Sequence, residues 1–416
     1  MRRLLRAVAV DAGLLGRRRE FRLLFSAQAV SFLGSTMTRV ALPFQVYALT
    51  GSPFAVGALG AVEVIPLIAV ALLSGALADA VDRRRMVVAA EAGGALVTGL
   101  LLLNAALPHP AVWPIYVLGA LGGACYALLR PPLDALIPQV VERDELTTAA
   151  ALDGALIGTM AAVGPAFAGV LIAAVGVEAP LVLDLATFVV SAGLLAQLDP
   201  HPPAEPRRMR PLADVREGLA YARSRPELLG TYLIDLNAMI FGLPVALFPA
   251  IAPALGGPRA LGALYAAPAA GAALVSLAGG WTCRVRRQGR AIALAAAGWG
   301  AAIVVFGFAD ALVPALLALA VAGGMDAVSG VFRMTIWNDT IPTGMRGRLA
   351  GVEMVSWGAG PGLGDLEAGA VAGVTSVRTA VVSGGVLCIA GSAALAAAIP
   401  ALWRYEPSPD DQSGGS

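Results

Sequence analysis

Apolar residues in this chain do not alternate with polar ones. They gather in blocks of about twenty, separated by short polar punctuation. A helix rises ~1.5 Å per residue, so a block of about 20 residues crosses the ~30 Å hydrocarbon layer of a bilayer. Blocks of this kind cover 23–48, 55–78, 86–106, 112–129, 149–175, 179–198, 229–252, 261–283, 290–308, 311–332, 349–373 and 379–402. They predict twelve transmembrane helices. The block at 112–129 is short for a span, and the one at 311–332 carries Asp326.

The basic residues orient these spans. The chain has 29 Lys plus Arg, and all are Arg. With an even number of spans both termini lie on one side. Only Arg39, Arg259 and Arg378 then fall away from that side. The positive-inside rule makes the Arg-rich side cytoplasmic, with both termini inside. The opposite connections, near 49–54, 107–111, 176–178, 253–260, 309–310 and 374–378, are too short to hold an extracellular domain. Met1-Arg-Arg-Leu-Leu-Arg begins like a signal peptide, but Arg6, Asp11 and Arg17 to Arg19 interrupt any apolar core. No cleaved signal is expected.

The longest hydrophilic stretch, 199–227, is central. It opens with a proline-rich segment and continues with Leu212, Val215, Leu219 and Ala222 at helical spacing. This predicts a stiff linker and then an amphipathic helix on the inner membrane surface. The expected organisation is a cytoplasmic segment at 1–22, a six-helix bundle at 23–198, the linker at 199–228, a second six-helix bundle at 229–402 and a cytoplasmic tail at 403–416. The halves echo each other. Ile137-Pro138 precedes Gly164-Pro165, and Ile341-Pro342 precedes Gly360-Pro361. The fold class is therefore all-α integral membrane, with twelve transmembrane helices as two parallel six-helix pseudo-repeats around a central cavity. That is a transporter architecture.

Composition agrees. Hydrophobic residues make up 58% of the chain and charged residues 14%, and the mean hydropathy is +0.76. A water-soluble fold carries roughly 25% charged residues. The net charge of +1 offers nothing to a nucleic acid. Cys125, Cys283 and Cys388 are far apart in or at the ends of apolar blocks, and His109 and His201 sit beside prolines. No metal site or cofactor is expected. The phosphate-binding sequence GxxxxGK[ST] is absent from a chain without lysine, and no nucleophile constellation stands out. The sequence does not read as an enzyme.

Between the second and third blocks lies Gly75-Ala-Leu-Ala-Asp79-Ala-Val-Asp82-Arg83-Arg84-Arg85. This resembles the inner-loop signature of the major facilitator superfamily. Gly75 matches its close-packing glycine, Asp79 its acid, and Arg83 and Arg84 its basic pair. Asp82 stands where that family usually has a second glycine. The resemblance implies a conformational-switch loop. In the fifth block, Gly164, Pro165 and Gly169 resemble the glycine–proline motif of proton-coupled exporters of the same superfamily, while Met160 and Ala168 replace glycines of that motif. The stretches from Phe21, Met37 to Pro43, Ala135, Val215 and Arg346 extend the likeness to a bacterial branch that includes siderophore and multidrug exporters. A monomer in the bacterial plasma membrane is implied.

Charges inside a membrane are costly and mark functional candidates. By the same resemblance, spans 1, 4, 7 and 10 line the cavity, which promotes Arg39, Asp235 and Asp326. Glu63 joins them as a substrate or proton group. The alternative for Arg39 is an ion pair with Glu63 or Asp184. Asp365 and Glu367 lie in the eleventh span, and for Asp365 a buried structural ion pair is the favoured reading. Gln28, Asn104 and Tyr126 are either polar cavity groups or packing groups. The expected function is secondary active export of a small amphipathic molecule, coupled to protons. An importer of a small solute and a membrane sensor or scaffold that does not transport are the alternatives. Asp235, with no Arg evident on its own helix, is the first coupling candidate and Glu63 the second.

Overall fold

The structure is a computed structural model and describes residues 13–78, 81–201, 211–342 and 345–406. All regular structure among these residues is helical. In chain order the helices are α1 (Gly13–Arg17), α2 (Arg19–Thr50), α3 (Pro53–Ala78), α4 (Arg83–Ala105), α5 (Val112–Val140), α6 (Leu146–Val175), α7 (Glu178–Leu195) and α8 (Pro211–Ser224). They continue with α9 (Pro226–Phe241), α10 (Phe248–Leu255), α11 (Pro258–Leu277), α12 (Gln288–Gly307), α13 (Leu312–Thr340), α14 (Arg346–Val374), α15 (Val377–Ala398) and α16 (Pro400–Trp403).

Ten segments among the described residues are long and apolar enough to cross a membrane. Two more, α2 with 32 residues and α14 with 29, have the length but carry more polar side chains. Together they give the twelve spans that the apolar blocks predict. Large apolar side chains point outward, among them Ile65, Leu103, Leu277 and Leu317. In lipid this is the favourable arrangement, since acyl chains are as apolar as leucine. Trp113, 70% exposed at the start of α5, suits the membrane–water interface.

Several helices outrun their apolar blocks. α5 continues past residue 129 through Arg130, Pro131, Pro132 and Asp134 to Val140. α13 continues past 332 to Thr340. In each case a buried apolar row extends the packed face beyond the polar residues, through Leu133 and Leu136 in α5 and Ile336 and Trp337 in α13.

The seventh span is broken, where the sequence reads as one continuous block. α9 ends at Gly242, a short 3₁₀ turn covers Val245–Leu247, and α10 completes the crossing. Pro244 cannot donate a backbone hydrogen bond, so the helix stops before it. Freed backbone groups inside a membrane must find partners. Trp299 Nε1 of α12 donates to Gly242 O. Asp365 Oδ1 of α14 accepts from Ala246 N at 2.9 Å, and Tyr265 OH donates to Val245 O at 3.4 Å. Asp365 thus caps the broken span through a backbone hydrogen bond. Trp299→Phe keeps most of the packing but orphans the Gly242 carbonyl. It should cost about 1–3 kcal/mol in thermal unfolding of the detergent-solubilised protein. An unchanged melting temperature would mean that the carbonyl is satisfied otherwise.

The chain divides into two compact units, Met1–Gln45 with Ile65–Met209, and Val46–Val64 with Arg210–Ser416. Residues 46–64, read from sequence as part of the first bundle, belong to the second unit. The reason is a seam of small residues between α3 and α14. A Cβ at Gly57 would lie 2.2 Å from Asp365 O, and one at Gly369 would lie 2.7 Å from Pro53 O. The linker helix α8 sits on the second unit. Ala222 is fully buried with Leu228, Tyr232 and Trp337, and Tyr221 OH donates to Thr340 O at 2.7 Å.

Candidate functional site

The inner loop between α3 and α4 comes first. Gly75 lies within α3, and Asp79 falls outside the described residues. Asp82, the departure from the family pattern, caps α4: its Oδ1 accepts from Arg84 N at 2.9 Å. A carboxylate suits that end of a helix, where free N–H groups collect. Arg83 N donates to His201 O at 3.3 Å, so the start of the linker sits on this loop. The guanidinium of Arg84 donates to Ala196 O at the end of α7, where a helix favours positive charge.

On α6, Gly164, Pro165 and Gly169 are all buried, and the helix runs through the proline without a break. Gly164 lies against Thr36 of α2, so closely that an added Cβ would fall 1.9 Å from Thr36 Oγ1. Thr36 Oγ1 donates back to Phe32 O and Leu33 O of its own helix, each at 2.9 Å. The motif therefore serves a close α2–α6 approach.

In the second unit, Arg333 of α13 ion-pairs with Asp235 of α9, and its other terminal nitrogen lies 3.5 Å from Asp326 Oδ1. Asp326 and Arg333 share a face two turns apart, as their spacing suggests. Asp235 and Arg333 side chains are only 7% and 13% exposed, whereas Asp326 is 41% exposed. The sequence shows no Arg near Asp235 on its own helix; the cation comes from another helix. Asn237, two residues on and so on nearly the opposite side of α9, is a packing group, donating to Cys388 O at 2.9 Å.

In the first unit, Arg39 is exposed on α2. Asp184 of α7 is held by hydroxyls, not by Arg39: its Oδ2 accepts from Thr38 Oγ1 at 2.6 Å and Thr98 Oγ1 at 3.1 Å. Glu63 is half-buried on α3. Asn104 pins the loop after α4, exchanging two hydrogen bonds with Ala111 at 3.0 and 3.2 Å. Gln28 and Tyr126 do line a cavity, as a polar-cavity role requires. It has a volume of about 50 Å³ and is shared with Ser31, Ser35, Arg130 and a carboxylate that the sequence reading passed over, Glu91 of α4. Arg130 lies 3.1 Å from Asp134 and 3.6 Å from Asp153. A larger groove of about 480 Å³ lies between α11, α12 and α13. Its lining includes Leu274, Leu294 and Val328 and no charged group, so it offers a surface to acyl chains rather than to chemistry.

Residues 24–364 match the sequence profile of the Major Facilitator Superfamily. The chain belongs to the Major Facilitator Superfamily. It is 30% identical over 378 residues to the enterobactin exporter EntS of Citrobacter koseri, covering 89% of this chain and 90% of that relative. It is 29% identical over 396 residues to the enterobactin exporter EntS of Shigella boydii serotype 18, covering 94% of each. Among solved structures it is similar to the POT family transporter PepTSo (TM-score 0.77, 12% identity, 94% of this chain and 99% of that one). It is also similar to a bacterial homologue of the human lysosomal transporter Spinster (TM-score 0.70, 14% identity, 94% and 98%). At these identities the structural likeness speaks for the fold alone. The chain is a multi-pass membrane transporter of this superfamily, built as twelve transmembrane helices in two six-helix repeats.

Proposed function

We propose that this superfamily member exports a small amphipathic molecule of the siderophore class across the bacterial plasma membrane in exchange for protons, with both termini in the cytoplasm. The observation that carries the reading is the match, over nine-tenths of both chains, to relatives named as enterobactin exporters. The partially matched glycine–proline motif and the segregated arginines support it. In this reading Gly75, Asp79, Arg83 and Arg84 form the switch loop, and Arg39, Glu63, Asp235 and Asp326 are the substrate and proton candidates.

The ion cluster gives these candidates different tasks. Asp235 holds Arg333 in place within the second unit. Asp326, less buried and farther from the guanidinium, is the more open acid.

The test uses inside-out vesicles containing the full chain, with labelled enterobactin outside and an acid interior. Accumulation above that of chain-free vesicles, lost when a protonophore collapses the gradient, is the expected result. Enterobactin entry indifferent to the gradient would remove the proton from the reading. No entry at all would remove the substrate.

A further inference from the structure

Glu91 is a carboxylate in the middle of a membrane-spanning helix, only 1% exposed overall, and no motif of the chain accounts for it. Two glycines beside it explain how it reaches its site. A Cβ at Gly94 would lie 2.6 Å from the Phe188 ring of α7, and one at Gly93 would lie 3.0 Å from Cys125 Sγ of α5. These close approaches seat α4 deep among its neighbours. They bring Glu91 against Ser31 of α2, whose Oγ donates to Glu91 Oε2 at 3.1 Å. The buried Ser191 of α7 stands beside it.

Among the described residues, Glu91 has no Arg within 4.0 Å, and neither has Asp184. The ionisable groups around Glu91 are Asp184 from α7, Cys125 and Tyr126 from α5, and Arg130 at the cavity wall. Arg130 is already engaged by Asp134 and Asp153, the latter from α6. Burying a carboxyl group away from a counter-cation is costly, and contact with water relieves that cost. Such a group exchanges its proton when its hydration changes.

The cavity supplies the contact with water. Its volume of about 50 Å³ suits a few water molecules, whereas drug-sized ligands occupy cavities of about 300–1,000 Å³. Glu91, Ser31, Ser35, Gln28 and Tyr126 give it a polar lining. Gln28 Nε2 is buried without a partner in the protein, and so offers a donor to water. Behind Glu91, Asp184 gathers Thr38 of α2 and Thr98 of α4, joining the three helices that enclose the pair.

We propose that Glu91 is a proton-exchange site of the first unit, loaded and unloaded through this small hydrated cavity, with Asp184 stationed behind it as a second acceptor on the same helices. Ser31 positions the Glu91 carboxyl. The step is a simple proton transfer between the carboxyl oxygen and water, with no other bond made or broken. The purpose of such a site rests on the proton-coupled reading above, but its existence does not.

The test is a pH titration of the full chain reconstituted in liposomes, followed by infrared difference spectroscopy. Wild type should show a protonated-carboxyl C=O stretch that disappears as pH rises and shifts in heavy water. Glu91→Gln should remove that band, Ser31→Ala should move its titration midpoint, and Asp184→Asn should move it as well. Persistence of the same band in Glu91→Gln, or its absence from wild type across the titration, would overturn the proposal. Should Glu91→Gln fail to insert, the midpoint in Ser31→Ala decides, and an unmoved midpoint counts against the site. If vesicles fail to take up enterobactin while the band behaves as described, the substrate reading falls and the proton site stands.

Discussion

Asp235→Asn should destabilise the protein by about 3 kcal/mol, because it leaves Arg333 buried beside a neutral partner. Both side chains are nearly inaccessible, so water cannot replace the lost carboxylate. The value sits at the lower end of the range for broken buried pairs because Asp326 remains 3.5 Å from the same guanidinium. Arg333→Gln should cost at least as much, since it strips the cation from two acids at once. The double variant should recover a large part of the loss, as neutral pairs replacing buried ion pairs often do. Thermal unfolding of the purified protein in one detergent measures all three. A single variant as stable as wild type would mean that the pair is not desolvated. Transport should stay impaired in the double variant even where stability returns, and this separates the cluster's structural role from its functional one.

A valine at Gly323 should have an effect at least as large. Gly323 of α13 faces Pro268 of α11, and Gly271 of α11 faces Ala320 of α13. A Cβ at Gly323 would lie 1.9 Å from Pro268 O, and one at Gly271 would lie 1.7 Å from Ala320 O. The obstacles are backbone atoms, so no rotamer change makes room and the helices must part. Ordinary overpacking costs about 1–3 kcal/mol, and Gly323→Val should reach or exceed the top of that range. Gly154→Val on α6 is the control, for nothing lies within 4 Å of its Cβ position. It should change stability by no more than about 0.5 kcal/mol. Equal effects at the two glycines would show that helix propensity, not the seam, governs them.

The spans were legible in the sequence because crossing a bilayer imposes a length and an apolarity on each segment by itself. The segregation of the arginines is legible in the same way, since the positive-inside rule acts on each loop by itself, whereas the partners of individual arginines are not. What failed were features that depend on two distant segments at once. Arg333 is 98 positions from Asp235, so its part in the pair could not be read from the spacing on either helix. Asp184 was weighed as a partner for Arg39, and threonines from two other helices hold it instead. Gly242-Leu-Pro244 was a visible warning of the break in the seventh span, hidden by the apolar residues on both sides. Glu91 was missed because its block is otherwise so apolar. A lone acid beside Gly93-Gly94, mid-span, was the signal available.

The seam between α3 and α14 carries a consequence for biogenesis. Gly57 leaves the ribosome early, but the residues it packs against, around Asp365 and Gly369, are made roughly 300 residues later. At about 5–20 residues per second, that is a wait of about 15–60 seconds. For that interval the glycine-lined side of α3 is already in the membrane with its final neighbour unsynthesised. A chaperone or protease that surveys nascent spans therefore has a window on α3 that closes only when the eleventh span arrives. A chain stopped before α14 would keep that window open for good.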